Sequence, residues 1–280
     1  MNMKHIHAWA IFAAILLCGG CSDKTGPTKL VLKFKPGQIV TSETIRNSTI
    51  KKFINDSLVQ SYPYKEIINF KEETLDTLPG GKGLLAWTSE VLIIAPDSLD
   101  PNLEDTLKWL MTIETIQHPN GYNEFYAISD SSRLSMIDYY KRYLEQMSLI
   151  LPDQAVGVGY EWDHAFKVIL KDGERKDATN HFRVTGFEKK MGYDCVVIDR
   201  DAVMILPLQY PAPDSVSNLI RLTQTNYSSR SWLALDRSIL VYEEIKFREK
   251  VEGTWYKPDG IKKFRHEIEG TGVTTLADVK

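Results

Sequence analysis

Four histidines follow residue 21, at His118, His164, His181 and His266, scattered and without the spacing of a metal-ligand set. Two of them fall in the apolar phase of a strand-like run: His164 alternates with Trp162 and Phe166, and His266 with Phe264 and Ile268. Two readings follow. Either these are core histidines with satisfied ring nitrogens, or His164, His266, Trp162, Phe166 and Phe264 line a cavity in which a ring nitrogen meets a ligand head group. The carboxylates Asp163, Glu267 and Glu269 lie on the opposite phase, which disfavours a His-carboxylate pair along one strand. The sequence holds no H-E-x-x-H, G-x-S-x-G, P-loop or G-x-G-x-x-G. Pro79-Gly80-Gly81-Lys82-Gly83 lacks the Lys-Ser/Thr pair of a phosphate loop and reads as a turn. No catalytic residue, metal site or cofactor is assigned, and the expectation is a non-enzymatic protein, with a hydrolase of unfamiliar type as the rival.

Cys21 is the other residue with chemistry to offer. Lys4, the apolar run Ala8 to Leu17 and the small pair Gly19-Gly20 precede it in the order of a signal peptide. A ten-residue apolar helix is about 15 Å long, half of a bilayer's hydrocarbon core, too short for a permanent span. Leu17-Cys18-Gly19-Gly20-Cys21 resembles a lipobox, with Cys18 where leucine is usual. That resemblance implies cleavage before Cys21 and acylation of its thiol, with residues 1–20 as signal and 21–27 as a polar tether. Cleavage separates Cys18 from Cys21, which removes any C-x-x-C motif. Ser22 resembles the sorting signal of outer-membrane rather than inner-membrane lipoproteins. The expected location is thus the cell envelope, with the membrane bound through acyl chains.

Without residues 1–20 the chain carries 33 basic and 37 acidic side chains, a formal charge of −4, which gives no field for nucleic acid. Cys195 is then the one cysteine besides Cys21, so no internal disulfide is expected, and its setting in YDCVVID reads as a buried thiol. The stretch 28–280 can bury a substantial core.

Periodicity in that stretch is two. Leu30, Leu32 and Phe34 share a phase, as do Leu107, Trp109, Met111 and Ile113. Trp162, His164, Phe166, Val168 and Leu170 oppose Asp163, Lys167 and Lys171, and Val241, Ile245, Phe247 and Val251 oppose Glu244, Lys246, Arg248 and Lys250. Pro36-Gly37, Pro79-Gly80-Gly81, Asp172-Gly173, Met191-Gly192 and Pro258-Asp259-Gly260 punctuate these runs at hairpin spacing. The spacing predicts a mainly β protein with antiparallel strands. One segment departs from it: Leu134, Ile137, Tyr140, Leu144, Met147 and Leu151 recur every three or four positions, with Asp130 or Ser131 to cap and Pro152 to stop. An amphipathic helix is expected over 132–150, and a second helix or turn near 215–222. The first helix divides the domain into β-rich stretches 28–130 and 152–280 that look loosely alike, and duplication is one reading of that likeness. The 29 aromatic residues, among them Trp87, Trp109, Trp162, Trp232 and Trp255 in strand-like contexts, suit either cross-strand packing or a greasy groove.

Three segments carry a family resemblance. Leu151-Pro152 through Trp162, the run RVTGFEKKMGYDCVVID, and Ser231-Trp232-Leu233-Ala234-Leu235-Asp236-Arg237-Ser238-Ile239-Leu240 resemble turn and aromatic signatures of a group of uncharacterised bacterial envelope lipoproteins. Ser238 stands where that group usually has glycine. The resemblance implies a strongly curved antiparallel sheet or half-barrel with a helix in or over its concavity, a plan distantly similar to that of envelope carriers of lipids and lipoproteins. The functions it implies are binding of a lipid or other apolar ligand, or of an envelope protein in an assembly role.

Overall fold

A computed structural model describes residues 26–96, 104–128, 137–170, 175–211, 218–257 and 260–280. Cys21, the expected signal 1–20 and most of the expected tether 21–27 lie outside these residues. Strands make up 77% of the described residues and helix 5%, so the sheet is the fold. After the short β1 (Thr28–Lys29) come β2 (Ile39–Ile54), β3 (Ser57–Leu78), β4 (Lys82–Pro96), β5 (Glu104–Gln117) and β6 (Asn123–Ile128). The helix α1 (Ile137–Met147) and the short β7 (Ala155–Val156) lead to β8 (Glu161–Ile169), β9 (Arg175–Lys190), β10 (Tyr193–Pro211), β11 (Asn218–Ala234), β12 (Ile239–Lys257) and β13 (Gly260–Val279).

Eleven strands form one antiparallel sheet in the order β6-β5-β4-β3-β2-β13-β12-β11-β10-β9-β8, not closed into a barrel, and β1 pairs with β7 apart from it. Each half of the chain is a meander, and the halves join where β2 pairs with β13. The connection from edge strand β6 to edge strand β8 runs through α1. This helix packs on both β6 and β10. In a flat sheet those strands would stand about 38 Å apart, several times the diameter of a helix. The sheet is therefore rolled, with α1 inside the roll.

The two-residue phase sets the roll's faces. On β8, Trp162, His164, Phe166 and Val168 point inward, with Glu161, Asp163, Ala165, Lys167 and Ile169 outward. The outer face carries a lattice of exposed ion pairs, such as Arg230 to Asp199 at 2.7 and 2.8 Å, which keep it wet but add little stability. Asn55 and Asp56, both at positive φ, make the tight turn between β2 and β3 at what we call the upper rim. Met191-Gly192, Pro79-Gly80-Gly81 and 235–238 turn at the lower rim.

A core of Leu30, Leu32, Leu151, Val156, Phe182, Val184, Val196, Ile198 and Leu233 fills the lower end of the roll. Leu30 and Leu32 keep their expected phase, but 30–34 form no ladder strand. Their backbone is taken by loops instead: Leu32 donates to the Pro119 carbonyl at 2.8 Å, and Ser238 Oγ both accepts from Lys33 N at 2.5 Å and donates to its carbonyl at 2.7 Å. Leu151 N donates to Asn120 O at 2.7 Å, which ties the end of the helix to the β5–β6 loop. A second cluster, including Cys195, Trp232, Ala234, Val241 and Leu276, gathers where the β9–β10, β11–β12 and β13–β2 ladders each shift register at a bulge.

The expected helix 132–150 is seen as Ile137–Met147; residues 132–136 and the capping candidates Asp130 and Ser131 lie outside the described residues. It stops before Pro152, where a residue remote in sequence meets its end. Arg200 on β10 donates to the carbonyls of Gln146 at 3.0 Å and Met147 at 3.2 Å, placing a cation on the free C-terminal carbonyls. Of the second expected helix or turn near 215–222, residues Asn218–Leu222 belong instead to β11 and pair with β12, and 215–217 lie outside the described residues.

Candidate functional site

The inner face is one surface with two contrasting parts. Where β9 leaves β10, their ladder ends at Asp201 opposite His181, and the backbone of Ile205 loses its strand partner. Gln146 of α1 replaces it. Its Oε1 accepts from Ile205 N at 2.6 Å and its Nε2 donates to Ile205 O at 2.9 Å. Asn180 completes the seam, accepting from Val203 N at 3.1 Å and donating to Gln146 O at 3.0 Å. The helix is thus bonded into the wall by its side chain, and the lower part of the roll is closed.

Above this seam the inward residues of β2, β3, β11, β12 and β13 face a trough. Register puts Arg46, Gly272, Ile245 and Ser229 in one row, and Tyr64, Ser48, Gly270, Phe247 and Tyr227 in the next. The glycines make the floor flat. A Cβ on Gly270 would lie 2.4 Å from Ser48 Oγ and 2.6 Å from the Asn47 carbonyl, and one on Gly272 3.0 Å from Arg46 Cγ. Across them Arg46 of β2 reaches toward Phe247 of β12, its guanidinium 5.6 Å from the ring centroid. Arg46 also meets Glu66 at 3.5 Å, while its Nε is buried without a protein partner.

Acids line the trough too. Thr225 donates to Glu249 at 3.0 Å and Ser231 to Glu243 at 2.8 Å, and Thr44 and Thr274 share a hydrogen bond at 2.8 Å. Burial holds the Glu249 carboxyl above the usual range, and burial, then the charge of Glu66, pushes the Tyr64 hydroxyl up. Toward β4, Trp87 Nε1 donates to Glu72 at 2.9 Å, yet burial still lifts that carboxyl to about 7. Between these polar groups stand Ile50, Ile68, Phe70, Ile245, Phe247 and Ile268, none of them fully buried. Such a surface can hold a molecule with both an apolar body and a polar group. Among the described residues no group of three metal-ligating side chains occurs.

The five residues singled out by sequence fall in different places. Trp162 stacks on Phe182, ring centroids 5.2 Å apart, and donates to the Ile150 carbonyl at 2.6 Å, so it packs the closed end. Phe166 is 7% exposed among Val168, Ala178 and Ile205. His164 neighbours Phe166, its Nδ1 buried without a protein partner, and burial followed by the charge of Arg200 lowers its pKa. Phe264 and His266 instead stand together near the open end, ring centroids 5.4 Å apart. Burial, then Lys52 and Arg221, lowers the pKa of His266. The β8 and β13 groups are five places apart in the sheet and form no single constellation.

Arg46, Glu66, Glu249 and the glycines of Gly270-Thr271-Gly272 were not singled out by sequence, although charges and glycines on an inward phase were a readable signal. A His-carboxylate pair does occur, across strands on the outer face: His181 Nδ1 lies 2.6 Å from Asp163 Oδ1. It borders a hollow of about 630 Å³ with Asp201, Ser228, Lys246, Arg248 and Glu269. Ser228 donates to Asp201 there at 2.6 Å. The fold defines a helix-plugged, open antiparallel half-barrel. No protein-family model matches the chain, and no curated protein matches its sequence.

Proposed function

We propose that this protein is an acylated envelope lipoprotein, anchored through Cys21, that binds an amphiphile in its trough and performs no catalysis. One observation carries the reading: the inner face is packed shut at its lower end but left half-buried, mixed in polarity and flat-floored above. A sheet that served only as a scaffold would gain by filling this space with aliphatic side chains. The sequence expectation of an apolar ligand is sharpened by Arg46, Glu66 and Glu249, which favour a ligand with a polar head. No helix among the described residues is long and apolar enough to cross a membrane, and attachment is assigned to the acyl chains. Ser22 supports the outer membrane as the location, and the likeness to uncharacterised envelope lipoproteins agrees with this assignment.

Native mass spectrometry of protein purified from its own membranes, followed by lipid extraction, tests the proposal. The expected result is an N-terminally triacylated or diacylated Cys21 and a co-purifying amphiphile. A homogeneous ligand-free species, or an unmodified Cys21, would overturn the corresponding half.

A further inference from the structure

At the upper rim the sheet runs past everything that covers it. The end of β2, the start of β3 and the paired ends of β12 and β13 expose Ile54, Leu58, Val59, Trp255, Tyr256 and Ile261, with exposures from 39% for Trp255 to 62% for Ile261. These are six large apolar side chains within two adjoining hairpins, joined by Asn55 N donating to the Lys263 carbonyl at 3.1 Å. By register Ile54 and Trp255 take the inner phase while Tyr256 and Ile261 take the outer, so both faces of the tip are apolar. A contiguous exposed surface of this kind costs solubility and marks an interaction site.

Charge identifies the partner. The chain after residue 20 is acidic, yet in sequence the tip stretches 51–60 and 252–265 carry Lys51, Lys52, Lys257, Lys262, Lys263 and Arg265 against Asp56, Glu252 and Asp259, three positive charges in excess. Two copies meeting tip to tip would repel each other. An anionic lipid surface would attract the lysines, accept the aliphatic side chains, and suit the amphipathic rings of Trp255 and Tyr256 at the head-group level. From Trp255 the aromatic row continues inward to Phe264 and His266, at centroid distances of 5.5 and 5.4 Å. The tip therefore leads into the open end of the trough.

We infer that the β2–β3 and β12–β13 tip is a docking surface for a lipid bilayer, separate from the acyl anchor and selective for anionic lipid. The inference goes beyond amphiphile binding and does not depend on it, since the tip can dock whether or not the trough is loaded.

The full mature chain carrying Cys21→Ser, which lacks acyl groups, is sedimented with vesicles of phosphatidylethanolamine and phosphatidylglycerol, and with phosphatidylcholine vesicles. Binding is expected to the anionic vesicles, falling with added salt. The pair Trp255→Ser and Ile261→Ser, and separately Lys262→Glu with Lys263→Glu, should each weaken it by roughly tenfold or more. Val158→Ser, an exposed apolar residue away from the tip, should leave it unchanged, and all variants should melt with the parent because the altered side chains are exposed. Binding that survives in the tip variants, or a parent that binds neither vesicle, overturns the inference. So does a parent dimer that the tip variants dissolve, which would make the tip an interface between copies. Amphiphile retained by the tip variants, read by native mass spectrometry, separates failure of docking from failure of the trough.

Discussion

Leu30, Leu151, Val156 and Val184 at the lower end of the inner face are at most 3% exposed, whereas Ile50, Ile245, Phe247 and Ile268 higher on the same face stay partly open. Both sets are apolar residues on the inward phase of their segments. What separates them is what lies opposite. The lower set is packed together by the tail that follows α1, Leu149 and Leu151, and by the extended segment 30–34, neither of which joins the upper set. Strand patterning alone says which side chains point inward, and the connecting segments decide whether inward means buried.

Truncation should break the two regions apart. Leu144→Ala on α1, at 1% exposure, should cost about 2–5 kcal/mol in denaturant unfolding, because it leaves a cavity in a closed core. Ile268→Ala in the trough should cost about 1 kcal/mol, since its side chain is only partly buried. Equal losses would mean that the trough is as tightly packed as the plug.

Gln146→Leu attacks the boundary between the regions. It keeps the volume but strands the N–H and C=O of Ile205, and each unsatisfied buried group costs about 1–3 kcal/mol, so a loss of about 2–6 kcal/mol is expected. Hydrogen exchange should show faster opening at β9 and β10 near that seam, with β2 and β13 unaffected.

Most of the sheet was legible because inward and outward residues alternate over long stretches, as on β8 and on β12 from Tyr242 onward. The helix was legible through its three-and-four spacing, but its end was not, since the residue that stops it is Arg200, remote in sequence. Segment 30–34 reads as a strand by alternation and is none, because a two-residue period reports which side faces the core and says nothing about whether a ladder partner exists. Asn218 to Leu222 carried no helical period strong enough to resist pairing with β12. The trough was harder still. Its floor depends on Arg46 and Phe247 meeting across Gly270 and Gly272, and nothing in one strand announces its neighbours in a roll of eleven.

A smaller effect concerns pH. The Glu72 carboxyl sits at about 7 in the fold through burial, against about 4.5 unfolded. The folded chain therefore holds a proton that the unfolded chain releases, so this group's contribution is fully present below pH 4.5 and is lost as pH rises through 7. The melting temperature of the parent should fall between pH 5 and pH 8 by more than that of Glu72→Gln. Parallel curves would show that the β3–β4 side of the trough is open to water.

The most direct test is labelling in place. A lysophospholipid with a diazirine in its acyl chain, photolysed with the full mature protein and mapped by peptide mass spectrometry, should mark inward residues of β2, β12 and β13 such as Ile50, Phe247 and Ile268. Labelling confined to the outer face, or spread without preference over both, would contradict an amphiphile-binding trough.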